Sequence, residues 1–241
     1  MPAAPALDKP VITIDIWSDF ACPFCWIGKH RLQAALAQLG PAFGPVSVRW
    51  RAFQLDPEAS SEPVPLRQAY AAKFGGPERT EQLLATVQAQ ARADGLAMDF
   101  GQGQVKVNTL QAHRLVQLAA AEGDAQAVSE ALFQAHFAHG RNLADLQVLT
   151  EAGMAGGLSA ARIAHWLAGE QGLPQLRAEL AQGPALGITS VPTFVINQQW
   201  AVAGAQPVPA FVQALRQIAA ETGLQPAEPA GSGCNDDGCS L

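Results

Sequence analysis

Apolar positions recur along this chain with two different periods, and the switches between them outline the fold. The first apolar run, Val11 to Trp17 (VITIDIW), has the β-branched density of a buried strand. From Pro23 to Leu39 the spacing changes: Ile27, Leu32, Ala35, Leu36 and Leu39 recur at helical intervals, and Gly40-Pro41 stops the run. Val46, Val48, Trp50 and Ala52 then alternate with Ser47, Arg49 and Arg51, which predicts a second strand. Between Leu66 and about Gln182 the chain is alanine-rich and helical in period, with breaks near Gly75-Gly76-Pro77, Gly95, Gly140, Gly156-Gly157 and Gly172. Pro77 suits a first helical turn, and Asn108-Thr109 is placed to cap the segment TLQAHRLVQLAAAEG. Strand character returns at Thr193 to Asn197 (TFVIN) and Trp200 to Ala203 (WAVA), with Gln198-Gln199 as the turn, and a last helix spans about Val208 to Glu221.

Strand and helix signals at both ends therefore enclose a long helical stretch. Neither flank has enough strands for a sheet of its own, so the two are expected to pair into one. The fold class that follows is α/β. Its expected division is 10–64 and 185–223 for the two parts of a strand-and-helix domain, 65–184 for an inserted helical domain, and 224–241 for a tail rich in Pro, Gly and small polar residues.

Composition narrows the function. Of 241 residues, 49% are hydrophobic and 15% charged, which suits a globular chain. The formal net charge of −6 and the lack of a Lys/Arg-rich run argue against a nucleic-acid partner, whose phosphates would be repelled. The segment MPAAPALDKP lacks the apolar core of a secretory signal, and no window approaches the roughly 18 apolar residues of a membrane span. A cytoplasmic protein without a membrane partner is expected. In that compartment structural disulfides are rare, and a close cysteine pair is more often catalytic or metal-binding.

Two of the four cysteines, Cys22 and Cys25, stand three apart where the first strand gives way to the first helix. With Pro23 in the first turn, Cys22 opens the helix, where free N–H groups and the helix dipole favour a thiolate. Cys25 lies one turn deeper on the same face, at a separation a disulfide tolerates. Cys22 is thus expected to exchange with a substrate and Cys25 to resolve the mixed disulfide. A zinc knuckle is the competing reading; it needs two more ligands, and the strand-CxxC-helix context favours redox chemistry. Far downstream, Gly187 to Asn197 (GITSVPTFVIN) sets Pro192 immediately before a strand. Beside a CxxC helix, Ser190-Val191-Pro192 has the form of a loop that faces the dithiol. A cis Pro192, lacking an N–H, could press against the sulfurs, and the Val191 backbone would be free to pair with an extended substrate.

These motifs resemble the thioredoxin superfamily, and the helical insert narrows the likeness to the DsbA branch. The stretches IDIWSDFACPFCWIGKHRL, NTLQAHRL (Asn108 to Leu115), FAHGRNLADLQVL (Phe137 to Leu149) and GITSVPTFVIN are similar to the FrnE-like subgroup of DsbA family oxidoreductases. The likeness covers about residues 11 to 222. It implies a thioredoxin-like fold with a large helical insertion, with Cys22 as nucleophile, Cys25 as resolving cysteine and Pro192 as the cis-proline. Kappa-class glutathione transferases and 2-hydroxychromene-2-carboxylate isomerases belong to the same wider group, but carry serine at the position of Cys22 and use glutathione. Both sulfurs here favour dithiol chemistry, while the shared Asn108-Thr109 motif keeps a small-molecule site in view.

The tail holds a second pair, Cys234 and Cys239, around Asn-Asp-Asp-Gly, whose residues accept turn geometry. The linker 224–233, if flexible, spans about 15–20 Å, enough to bring this pair toward Cys22. A relay between the two dithiols is one reading, supported by FrnE-like proteins that also carry a C-terminal cysteine pair; a four-thiolate zinc or cadmium site is another. Trp17 is expected in the core; Phe24 beside the cysteines is a candidate substrate contact, and Trp26 is a candidate for either substrate contact or core packing. His136 and His139 are read as a surface or partly buried pair and not as metal ligands. His113 is assigned to packing or capping, and Asp19 to satisfying nearby N–H groups of its loop. The expected activity is protein thiol–disulfide exchange, with protein thiols and disulfides as partners. No tightly bound cofactor or resident metal is expected; glutathione or a thioredoxin-type reductant is a candidate co-substrate. A monomer and a homodimer both remain open.

Overall fold

The computed structural model describes residues 12–223; Val11 and the tail that carries Cys234 and Cys239 lie outside the described residues. In chain order the elements begin with β1 (Ile12–Ser18), α1 (Pro23–Leu39), β2 (Val46–Ala52), β3 (Val64–Pro65), α2 (Leu66–Phe74) and α3 (Pro77–Ala93). There follow β4 (Val105–Lys106), α4 (Leu110–Glu122), α5 (Ala125–Phe133), α6 (Leu146–Ala155), α7 (Ala160–Ala168) and α8 (Leu173–Ala185). The chain closes with β5 (Thr193–Ile196), β6 (Trp200–Ala203) and α9 (Val208–Glu221).

The flanks do pair into one sheet, in the order β2-β1-β5-β6. β1 runs parallel to β2 and antiparallel to β5, and β6 continues antiparallel at the far edge. Ile12, Ile14 and Ile16 point to one face, where they pack with Leu32 and Ala35 of α1 and Phe211 and Leu215 of α9. Trp17 points to the other face and is buried, as its place on the strand predicts. There it meets α8: a Cβ on Gly183 would lie 3.0 Å from the Trp17 ring. Glu179 of α8 also accepts from Arg51 (3.0 Å) and from the Ala52 N–H (2.7 Å). α8 thus covers the second face of the sheet, and the expected boundary at 184/185 moves to the N-terminal side of this helix. Its helical period places it with the insert; its packing joins it to the sheet.

The helical body buries a second core that includes Leu84, Met98, Phe100, Leu115, Leu132, Phe133 and Phe137, and α1 contributes Cys25, Trp26 and Ile27 to it. Pro77 does open α3, after Gly75 in the left-handed conformation ends α2. At α4, Asn108 supplies the cap by accepting the Leu110 N–H (2.9 Å), while Thr109 stands at the N-cap position without capping. Two short elements escape a periodicity reading. The β3–β4 ribbon has two residues per strand, and α5 runs into a π-helical turn, Gln134–Ala138, one residue wider than the α spacing.

Gly28 fixes how closely the two halves of the strand-and-helix domain approach. A Cβ there would lie 3.0 Å from Pro192 Cγ and 3.1 Å from Phe194 Cζ. Replacing Gly28 by Ala therefore pushes α1 away from the loop before β5. The expected cost is about 1–3 kcal/mol, the range for overpacking, to be read from urea unfolding at constant m-value.

Candidate active site

β1 ends at Ser18, a short turn follows, and Cys22 is the N-cap of α1 with Pro23 in its first turn. Pro23 has no N–H to lose and its fixed φ suits that place. The Cys22 N–H donates to the Asp19 carbonyl (3.0 Å) and the Cys25 N–H to the Cys22 carbonyl (3.1 Å), which locks the turn. Across the sheet, the register Trp17 opposite Thr193 brings the start of β5 alongside the end of β1. The Val191–Pro192 peptide bond is cis. The loop is held by Thr193 Oγ1 donating to the Ser190 carbonyl (2.8 Å) and the Gly204 N–H donating to the Pro192 carbonyl (2.8 Å). Cys22 Sγ donates to the Val191 carbonyl at 3.6 Å. Cys22, Val191 and Pro192, 169 residues apart in the case of the first two, are thus brought together.

The two thiols differ in environment. Cys22 retains 4% exposure and Cys25 none. Burial, and after it the neighbouring Cys22, pushes the Cys25 thiol well above its ordinary value; Ser18 and the Asp19 N–H act in the opposite direction. Ser18 Oγ is buried without a nitrogen or oxygen partner. Below the turn, the Asp19 carboxylate accepts from the Leu55 N–H (2.8 Å) and the Ala21 N–H (3.4 Å). Its Oδ1 lies 3.4 Å from His113 Nε2, an ion-pair distance off the line of a hydrogen bond. Burial alone would raise the Asp19 carboxyl, but His113, the Leu55 N–H and the Thr109 hydroxyl outweigh it and hold it below the ordinary carboxylate value. Tyr70 of α2, pushed up to about 12 by burial and then by Cys22 and Asp19, stays protonated.

Two cavities flank this turn. One of about 510 Å³ lies between β2, α4 and α8, with Ser18, Phe20 and His113 in its wall. The other, of about 100 Å³, is bounded by Asp19, Ala21, Tyr70, Thr109 and His136. The Asp19–His113 pair stands between them. The loop amides that the sequence assigns to Asp19 are satisfied by it; no local signal brings His113, from a helix of the insert, to meet it. Tyr70 carries no motif signal at all.

Phe24 is 40% exposed and can meet a substrate. Trp26 cannot, and its expected substrate contact is corrected: it is buried, with its ring centroid 6.4 Å from that of Phe133 and 6.2 Å from that of Phe137. Its Nε1 donates to Glu130 (3.1 Å), which also pairs with buried Lys29. The helix turns Trp26 inward because it follows Cys25 on the face toward α5. His136 lies within the π turn and His139 directly after it: His136 is buried and His139 exposed. Among the described residues no group of three or more His, Cys, Asp or Glu side chains could hold a metal ion. The four-thiolate alternative, which needs Cys234 and Cys239, falls outside the described residues.

A four-stranded sheet whose central strand leads into a CxxC helix, interrupted by a helical insertion, is the DsbA-like form of the thioredoxin fold. The chain belongs to the DSBA-like thioredoxin domain family, whose model matches residues 13–216. It is similar to the probable DsbA oxidoreductase of Streptomyces coelicolor, at 34% identity and a TM-score of 0.81, over 95% of this chain and 99% of that one. The cytosolic disulfide reductase DsbM of Pseudomonas aeruginosa shares the fold at 24% identity and a TM-score of 0.55, over 86% of this chain and 99% of that one. A 2-hydroxychromene-2-carboxylate isomerase does so at 17% identity and a TM-score of 0.63, over 88% of this chain and 99% of that one. Among the described residues no helix is long and apolar enough to cross a membrane.

His136 ties the stability of this region to pH. Burial lowers its imidazole to about 4, against an ordinary value of 6.5. Below 6.5 the unfolded chain binds a proton that the folded chain refuses, so stability falls as pH drops from 6.5 toward 4. The gap corresponds to about 3 kcal/mol. Urea midpoints measured across that window should flatten in a His136→Gln variant.

Proposed function

We propose that this protein is a thiol–disulfide oxidoreductase whose Cys22-Cys25 dithiol acts on protein substrates. The observation that carries this reading is Cys22 at the N-cap of α1, facing the Val191 carbonyl beside the cis Val191–Pro192 bond. In the reductive direction the Cys22 thiolate attacks a substrate disulfide, one substrate sulfur leaves, and Cys25 then displaces the second to close Cys22–Cys25. The reverse sequence oxidises a substrate dithiol. An extended substrate chain meets Cys22 along the Val191 backbone, with exposed Phe24 and Leu55 as apolar contacts.

The finer reading places the protein in the FrnE-like subgroup and in the cytoplasm, with glutathione or a thioredoxin-type reductant as co-substrate. Cys234 and Cys239 then serve as a second dithiol that exchanges with Cys22-Cys25. A glutathione-dependent transferase or isomerase is the second reading. It is favoured by the small cavity, which Lys73 and Lys106 also line beside Tyr70.

Insulin reduction and scrambled-ribonuclease refolding test the first reading. Cys22→Ser should bring both to background, and Cys25→Ala should accumulate mixed disulfides that mass spectrometry assigns to Cys22. Glutathione-dependent turnover that survives Cys22→Ser would favour the second reading instead. Replacing Cys234 and Cys239 together by Ser should slow multiple turnover several-fold if the tail relays electrons.

A further inference from the structure

We propose that the outer edge of β2, where it lines the cavity of about 510 Å³, is a second binding site that takes a short, uncharged stretch of extended polypeptide as an added strand. The site is separate from Cys22 and Val191 and does not depend on the dithiol reading. β2 is an end strand of the sheet, so one of its sides has no neighbouring strand. The Phe53 N–H donates to the Ser18 carbonyl (3.0 Å), so Phe53, Arg51 and Arg49 turn their peptide groups to β1, while Ala52, Trp50 and Val48 turn theirs outward. Side chains of the insert close two of these outward groups. The Ala52 N–H donates to Glu179 (2.7 Å), and the Val48 carbonyl accepts from Gln126 Nε2 (3.4 Å). Between them, the backbone N–H and C=O of Trp50 have no hydrogen-bond partner among the described residues. Proteins blunt their sheet edges against stray pairing; this edge is blunted at both ends and left open in the middle.

The cavity gives that open middle the shape of a slot. Val48 to Ala52 line it on one side and α4 on the other, and among the lining residues Arg49, Ala120, Gly123 and Asp124 are exposed, which opens it to solvent. Two side-chain donors in the same wall are also unsatisfied. Trp50 Nε1 is buried without a hydrogen bond among the described residues, as is Arg51 Nε, although the latter lies 3.4 Å from Asp15 Oδ1. Buried donors are seldom left in this state, and the carbonyls of a peptide are the acceptors they lack.

Strand geometry sets the length of the guest. In an antiparallel pair, one guest residue exchanges both hydrogen bonds with Trp50, and the next exchanges fall at Val48 and Ala52, where Gln126 and Glu179 already stand. The paired stretch is therefore about three residues, or about 10 Å at the rise of a strand. Its chemistry follows from the walls. The charges of Arg49 and Arg51 are offset by those of Asp124 and Glu179, so neither sign of guest is favoured, and Phe20, Val116 and Leu176 suit an apolar residue at its centre.

The test titrates the blocked tripeptide acetyl-Ala-Leu-Ala-amide, which has no sulfur, into the reduced, isotope-labelled full-length chain and follows it by NMR. The backbone and indole N–H resonances of Trp50 should shift saturably at peptide concentrations up to about 10 mM, the range for a guest held by a few hydrogen bonds and one apolar side chain. The same peptide N-methylated at its leucine cannot donate to the Trp50 carbonyl and should bind about tenfold more weakly or worse. Ala120→Leu sends a larger side chain into the slot from an exposed position on α4, where leucine is a good helix former, and should abolish the Trp50 shifts while the rest of the spectrum stays that of the folded parent. Shifts confined to the surroundings of Cys22 and Val191 would overturn the proposal, since the peptide would then be held at the dithiol face alone. So would the lack of any saturable shift, equal affinity for the N-methylated peptide, or an Ala120→Leu chain that binds as the parent does.

Discussion

The antiparallel pairing of β1 with β5 is the contact on which the rest of the structure depends. It joins residues that the whole helical insertion separates, and the entropy of closing so long a loop grows only slowly with its length. What must be exact is the register. Ile14 opposite Ile196 and Ile16 opposite Phe194 put apolar side chains of both strands on the face that α1 and α9 cover. A slip of one residue would turn Ile12, Ile14 and Ile16 to the opposite face, so burial enforces the pairing. The same register sets Thr193 beside Trp17, which delivers Val191 and Pro192 to the end of β1 where the cysteine turn begins. The site is therefore a by-product of the core: the interactions that stabilise the sheet also bring nucleophile and loop together.

The helical body is fastened to the helix that carries the dithiol by a buried ion pair and an aromatic stack. Glu130 of α5 accepts from Trp26 Nε1, pairs with Lys29 and accepts from Gln134 Nε2 (2.9 Å). Lys29 has almost no exposure, so loss of Glu130 would leave an ammonium buried without a counter-ion, which costs far more than a surface pair would. Around this ion pair Trp26, Phe133 and Phe137 stack with nearly parallel rings. Phe20, from the cysteine turn, packs on both Phe133 and His113. Motion of the body relative to α1 would have to break a buried charge pair and an aromatic stack together.

Much of this was legible in the sequence because periodicity and punctuation report local structure. The isoleucine run of β1, the Pro23 start and Gly40 stop of α1, and the SVPTFVIN stretch before β5 each carry their signal within a few residues. Residue pairs joined only by tertiary packing carry none. Nothing local distinguishes Trp26, turned into the aromatic stack, from an exposed tryptophan next to a dithiol; the difference lies in Phe133 and Phe137, more than a hundred positions away. α8 has an ordinary helical period, and its attachment to the sheet depends on Glu179 meeting Arg51 and on Gly183 admitting the Trp17 ring. His136 and His139 have helical spacing, yet the π turn moves one inside and leaves the other in solvent.

The insertion also changes what the dithiol is embedded in. The strand-and-helix flanks supply Cys22, Cys25, Val191 and Pro192, which suffice for the face a substrate meets. Many of the polar and aromatic groups beneath that face come from the insert: Tyr70 from α2, Thr109 and His113 from the start of α4, Glu130 from α5 and His136 from the π turn. Asp19 is the flank residue on which several of them converge, and the N–H groups of Ala21 in its own loop and of Leu55 after β2 keep it fixed there. His113, the Leu55 N–H and the Thr109 hydroxyl together hold this buried carboxyl below its ordinary value. The inserted helices are thus the rear wall of the site, and they set the electrostatic surroundings in which both sulfurs exchange.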